Sequence, residues 1–212
     1  MGVLLITGAI ACQAQVQRPQ RDFQAWADLD ATYPISRKVD FLLSVGTRYS
    51  NDYGHLSYRR ITSGFAFHWH RYFTFEPYYQ YSRSDSFSGR VNPENRLAFA
   101  ITVGTPWKQW EISDRNRGER RFRVNGRSWR YRNRVEIRRP LNVERKRLSV
   151  FVWDEVYYSS RAGRWYRNRL ALGAGQKLGK KISVDLYYVH QNDGYSHPGN
   201  LNAVAMTIKT VF

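Results

Sequence analysis

Arginine recurs at alternate positions through Arg130-Tyr131-Arg132-Asn133-Arg134-Val135-Glu136-Ile137-Arg138, and three Arg-Asn-Arg triplets stand at 115–117, 132–134 and 167–169. A related Glu94-Asn95-Arg96 precedes them. Two chemistries suit such a set. Guanidinium forks hold carboxylates by two parallel hydrogen bonds, so arginines and glutamates on neighbouring strands can satisfy one another. Where arginine is in excess, the same groups form a positive wall that favours anions. The candidate residues are Arg48, Glu76, Arg96, Glu111, Arg115, Arg117, Glu119, Arg130, Arg132, Arg134, Glu136, Arg138, Glu155, Arg167 and Arg169, with Arg121 beside them.

Catalytic chemistry finds less support. Nucleophilic catalysis needs an activated hydroxyl or thiol beside a base. The histidines are His55, His68, His70, His190 and His197, and serines such as Ser63, Ser159 and Ser183 are available, but no spacing singles out a triad. His68 and His70 share a strand face without an evident third metal ligand. Cys12 is the sole cysteine, which leaves no internal disulfide and no cysteine-based metal site. The expectation is a protein that is not an enzyme and that carries no cofactor or metal.

Alternation with a period of two, read as strands, must position the arginines. Phe41, Leu43, Val45, Thr47 and Tyr49 alternate with Asp40, Leu42, Ser44, Gly46 and Arg48. The same period runs through 61–69, 73–82, 96–103, 129–139 and 182–188. In a bilayer only one register of the 129–139 strand is tolerable, because arginines turned to lipid cost roughly 2–4 kcal/mol each near the midplane. A soluble ligand-binding barrel would turn the same alternation inside out.

The two ends of the chain favour the membrane. Leu201 to Phe212 alternates and finishes on an aromatic, as outer-membrane barrels commonly do, with Met206, Ile208, Thr210 and Phe212 on one face and Ala203, Ala205, Thr207 and Lys209 on the other. Val3 to Ala11 followed by Cys12-Gln13-Ala14-Gln15 reads as a secretory signal over residues 1–14, cut after Ala14. The alternative is lipoprotein processing at Cys12. The basic stretch that usually opens such a signal is missing, which points to a truncated or misassigned start.

Thirty-four Lys and Arg against 17 Asp and Glu give a net charge of +17, which in a cytosolic chain would point to nucleic acid. Export removes that class. The mean hydropathy of −0.63 contains no helical span, and strands reconcile it with a membrane because only alternate residues meet lipid. Aromatic residues make up 16% of the chain, enough for two interfacial girdles. Trp69, Trp107 and Trp110 fall at one set of strand ends, with Trp129, Trp153 and Trp165 toward the other. Trp153 and Tyr157 are the candidates for a sugar-stacking platform in the lumen instead.

Trp26, Arg48, Glu94-Asn95-Arg96, Arg115-Asn116-Arg117-Gly118-Glu119-Arg120-Arg121, the 130–138 run, Glu155 and Arg167-Asn168-Arg169-Leu170 resemble the outer-membrane barrel family known as domain of unknown function 2490. The resemblance implies a bacterial outer-membrane location and a barrel fold, and it brings no activity with it.

The expected architecture is all-β, an antiparallel up-and-down transmembrane barrel over residues 23–212 with a polar Arg/Glu-rich interior. The segments count to eleven, against the even numbers of single-chain bacterial barrels, so ten to twelve strands are expected with one segment misread. Placing Phe212 at the periplasmic rim makes 69–71, 105–108 and 178–181 short turns. The longer connectors 51–57, 84–94, 123–128, 160–163 and 192–199 then face outward from the cell.

Two functional readings follow. One is a passive anion-preferring channel or small porin resting on Arg117, Arg130, Arg132, Arg134, Arg167 and Arg169; the other is a closed structural barrel filled by its own salt bridges. Arg121, Arg123, Arg127, Arg161 and Arg164 are candidates for lipopolysaccharide phosphates against the plainer reading of a solvated basic loop. Expected partners are membrane lipid and lipopolysaccharide, the barrel assembly machinery through Phe212, and small anions, with no nucleic acid.

Overall fold

The computed structural model describes residues 21–50, 54–85, 89–143, 146–196 and 199–212. The signal segment and Cys12 lie outside them. Eleven strands follow one another: β1 Arg21–Ser36, β2 Val39–Ser50, β3 His55–His70, β4 Phe73–Asp85, β5 Val91–Trp107, β6 Trp110–Arg123, β7 Gly126–Val143, β8 Lys146–Ser159, β9 Arg164–Lys177, β10 Ile182–Asp193 and β11 Asn200–Val211. Each pairs antiparallel with the next, and β1 pairs with β11 to close the barrel.

The closing pair is parallel, Arg21 opposite Asn200 through Thr32 opposite Val211. The segment count of eleven was therefore correct, and the expected misreading did not occur. An up-and-down meander with an odd number of strands brings its first and last strands to the seam running the same way, so closure needs no twelfth strand. A parallel pair supplies evenly spaced, slanted hydrogen bonds that are only slightly weaker per residue. The start of β1 and Phe212 consequently lie at opposite rims.

Strands of 12 to 18 residues exceed the roughly 9–11 that a tilted strand needs to cross a bilayer core. Eleven strands spaced about 4.8 Å and tilted about 40° form a ring about 22 Å across between backbones. Long side chains from facing walls can therefore meet.

The two faces are sharply divided. Leu29, Val45, Ile61, Leu97, Val135, Val152, Leu172, Leu186, Val204 and Met206 are exposed on the outer wall. Ala203, Ala205 and Thr207 of β11 are buried inside, and Lys209 reaches Asp185 there. Aromatic rings gather on the outer wall toward both rims: Phe41 against Phe65 and Phe67 against Phe75 near the short turns, Trp165 against Tyr131 and Tyr158 near the other end. The asparagines of the triplets also face out, where Asn133 Nδ2 donates to Asp114 and Asn116, and Asn168 Nδ2 to Asp154.

Several strands run further than the alternation predicted. β1 already includes Arg21 and Asp22, ahead of the expected start at residue 23. The connector expected over 123–128 is a two-residue turn, Val124-Asn125, because Arg123 already pairs with Gly126. Gly126 has φ of 100°, which a side chain would strain, and this lets the hairpin close tightly. Trp153, grouped with the interfacial tryptophans, is instead 5% exposed inside the barrel. Its even-numbered neighbours Val152 and Asp154 take the outer wall.

Candidate functional site

The inward faces of β2–β9 build the charged interior. β7 carries Arg130, Arg132, Arg134, Glu136 and Arg138 at alternate positions, and β8 sets Tyr157, Glu155, Trp153 and Phe151 directly opposite Arg132, Arg134, Glu136 and Arg138. The arginine ladder stacks on the aromatic one, with the Arg134 Cζ 4.2 Å from the centre of the Trp153 ring and the Arg138 Cζ 4.2 Å from that of Phe151. Flat guanidinium planes lie on ring faces while their N–H edges stay free for carboxylates.

Three glutamates organise the network. Glu94 receives Arg96, Arg121 at 2.6 Å by two donors, and Arg123 at 2.7 Å. Glu119, 1% exposed, receives Arg130 at 2.5 Å and Arg132 at 3.2 Å. Glu155, 2% exposed, receives Arg132 at 2.7 Å, Arg134 at 3.4 Å and the Tyr157 hydroxyl. Isolated carboxylates at such burial would be very costly; with several charge-assisted donors each, they are compensated.

Further pairs extend along the lumen. Arg115 meets Glu76 at 2.5 Å, Arg138 meets Glu136 at 3.0 Å and Asp185 at 3.0 Å, and Arg167 meets Asp193 at 2.6 Å. Arg60 holds Asp28 at 2.8 Å. Glycine makes room for two of these: a Cβ on Gly46 would lie 2.1 Å from Asp28 Oδ1, and one on Gly175 would lie 2.2 Å from Asp185 Oδ1.

Two β-bulges add inward residues. Between Arg48 and Tyr49 the register with β3 slips so that Ser57 is unpaired, and between Tyr157 and Tyr158 the register with β9 slips past Tyr166. Ser57 and Tyr58, and likewise Tyr166 and Arg167, thus both line the cavity although they are adjacent in sequence.

The result is a cavity of about 1560 Å³ lined from residues near one rim, such as Thr32, Leu42 and Val211, to residues near the other, such as Asp85 and Ser196. Among the described residues that line it, sixteen are Arg or Lys and seven are Asp or Glu. Glu119 and Glu155 behind this lining narrow the excess without cancelling it.

That excess has identifiable members. Arg48 stands directly opposite Trp26 on β1 and Tyr58 on β3, with its Cζ 4.0 and 4.8 Å from their ring centres and no carboxylate in reach among the described residues. Arg169 donates to Gln191 at 2.8 Å and to the Tyr157 hydroxyl at 2.9 Å, again with no carboxylate partner among them. Arg117 comes only to 4.0 Å of Glu119, and its buried Nε has no partner.

The placement of the sequence candidates is uneven. Arg48, Glu76, Arg96, Arg115, Arg117, Glu119, Arg130, Arg132, Arg134, Glu136, Arg138, Glu155, Arg167 and Arg169 come together inside the barrel. Glu111 does not: it is exposed at the short-turn rim, one residue past the strand end at Trp110, and is absent from the network. Arg121, read both as a lumen charge and as part of an outer basic cluster, and Arg123, assigned to that cluster, point inward to Glu94. Arg127, Arg161 and Arg164 stay at the rim, the last two donating to the carbonyls of Asn125 and Gly194.

Sequence reasoning missed Asp28, Asp185, Asp193, Tyr58 and Trp26 as lumen residues. The signal was present for Asp185, which alternates with Val184 and Leu186. For Asp193 it was not, because its partner Arg167 lies 26 residues away on the neighbouring strand. Among the histidines and serines, His68 bonds Asp40 at 2.8 Å and Thr74 at 3.3 Å, while His190 faces outward to Asn202 and Ser183 faces inward.

The chain belongs to the family described as Protein of unknown function (DUF2490), whose model matches residues 23–202, from β1 into the start of β11. No curated protein matches it.

Proposed function

We propose that this member of the family is a bacterial outer-membrane barrel, exported by its N-terminal signal, whose lumen admits small anions and passes them without catalysis. The observation that carries the reading is the set of interior cations without a close carboxylate, Arg48 and Arg169 with none among the described residues and Arg117 no nearer than 4.0 Å to Glu119, in a cavity where positive groups outnumber negative ones. A fixed positive wall in a low-dielectric ring concentrates anions and repels cations.

The membrane part of the proposal rests on the outer wall. A contiguous belt of exposed Leu, Val, Ile and Met with aromatic rims is far larger than the apolar patches that water-facing proteins show, and lipid is the solvent that suits it. Phe212, 64% exposed, would present the terminal aromatic to the assembly machinery. Arg127, Arg161 and Arg164 would meet lipopolysaccharide phosphates if their rim faces the cell exterior.

A second reading is a closed structural barrel. It is favoured by the chain of stacked groups from Tyr58 through Arg48, Trp26, Arg169 and Tyr157 to Arg132, which ties strands on opposite sides of the lumen. The two readings part on selectivity. Converting Arg48, Arg117 and Arg169 together to Gln should lower the anion-to-cation permeability ratio of the refolded barrel several-fold, while the paired arginines hold the fold. Unchanged selectivity would overturn the assignment, and absence of current from folded wild-type protein would favour the closed barrel.

A further inference from the structure

We propose that Arg48 and Arg169, stacked on Trp26, form a binding site in the lumen for a single oxyanion group, the phosphate or carboxylate of a small organic anion. This deepens the reading of the lumen as an anion compartment and rests on it for access, though not on conduction. Arg48 comes from β2 and Arg169 from β9. Their Cζ atoms lie 4.0 and 4.9 Å from the centre of the same indole, which bounds their separation at about 9 Å. Within that limit a single oxyanion can accept hydrogen bonds of ordinary length from both guanidinium groups.

The rest of the neighbourhood fixes the two cations while leaving donors over. Trp26 is itself held, its Nε1 donating to Gln24 at 2.7 Å. Arg169 spends Nε on Gln191 and Nη1 on Tyr157, which leaves Nη2 free of protein partners among the described residues. Arg48 gives its N–H groups to no described side chain, and both arginines line the cavity. The Tyr157 hydroxyl is unavailable to compete, since it already accepts from Arg132 and Arg169 and donates to Glu155.

The neighbouring arginines differ in their partners. Arg132, Arg134, Arg130 and Arg167 all have carboxylates within 3.4 Å. The carboxylates that act on this pair are already engaged: Asp28, near Arg48, by Arg60, and Glu155, near Arg169, by Arg132 and Arg134. Two cations side by side without a protein counter-ion repel one another, and a bound oxyanion relieves that repulsion. Fork-shaped donors favour an oxyanion over chloride because they match two oxygens at once.

The test uses the full-length refolded barrel in detergent micelles and in planar bilayers, with inorganic phosphate and benzoate as separate probes and chloride as the comparison. Saturable calorimetric binding of either probe is expected, stronger than that of chloride, and weakened about tenfold or more in Arg48→Gln and in Arg169→Lys. Arg48→Lys keeps the charge without the fork and should fall between. Arg83→Gln, on the outer wall, should bind as wild type. Phosphate binding alone would identify a phosphate-bearing ligand, and benzoate alone a carboxylate. No saturable binding to wild type, or equal binding in both lumen variants, overturns the site. Binding without bilayer current leaves the site standing and removes the channel, whereas current without binding does the reverse.

Discussion

Glu155 sits where removal of one charge leaves a deeply buried imbalance, because Arg132, Arg134 and the Tyr157 hydroxyl all converge on it. Buried pairs add little net stability when intact, since desolvation offsets attraction, but breaking one strands the partner charge and costs about 3–5 kcal/mol. Glu155→Gln should therefore destabilise the refolded barrel by about that amount in urea titration, while Glu111→Gln at the exposed rim should change it by about 0.5 kcal/mol or less. Equal effects would contradict the network. At this scale the sequence was legible wherever charges alternate along one strand, as in 130–138. It was not legible where a partner comes from another strand's end: Arg167 had no visible counter-ion until β10 brought Asp193 beside it. Arg123 was misplaced for the same reason, and Arg121 was left between lumen and outer cluster, since a run of Arg120-Arg121 followed by Arg123 does not reveal that Glu94 on β5 draws two of the three inward.

At the scale of the strand, alternation decided the faces and left the lengths open. The strands turn aliphatic side chains mostly outward and charged, polar or small ones mostly inward, and a slip of one residue would invert the whole set. Where bulges occur, at Ser57 and Tyr166, period two fails locally, and no single-strand pattern announces it. The outer face makes a direct prediction. Leu172 of β9 is 66% exposed and lies between Val152 and Tyr188 on the neighbouring strands, away from both rims. Leu172→Arg should cost about 2–4 kcal/mol in lipid vesicles if this wall meets the bilayer core. Arginine at Ile182, beside the short-turn rim, should cost about 1 kcal/mol or less. Equal and negligible costs at both depths would mean that the apolar belt faces something other than lipid.

For the molecule as a whole, closure by a parallel seam resolves the parity that made eleven strands look like a miscount. It places β11's buried Ala203 and Ala205 behind Trp26, so small residues at the seam leave room for the indole and the two arginines stacked on it. The interior is therefore uneven: an apolar cluster of Trp26, Phe151, Trp153, Val189 and Leu201 reaches from the seam to β8, where the arginines of the Arg/Glu network stack on its rings. The fold class could be read from alternation and the terminal strand. The direction of the closing pair followed only from the strand count, which the even-number expectation set aside, and not from any residue within the two strands. The most direct test of an anion-admitting lumen is the reversal potential of the wild-type barrel in a planar bilayer across a potassium chloride gradient. The account predicts steady conductance with the reversal potential displaced toward the chloride equilibrium potential, and a displacement toward the potassium potential would contradict it.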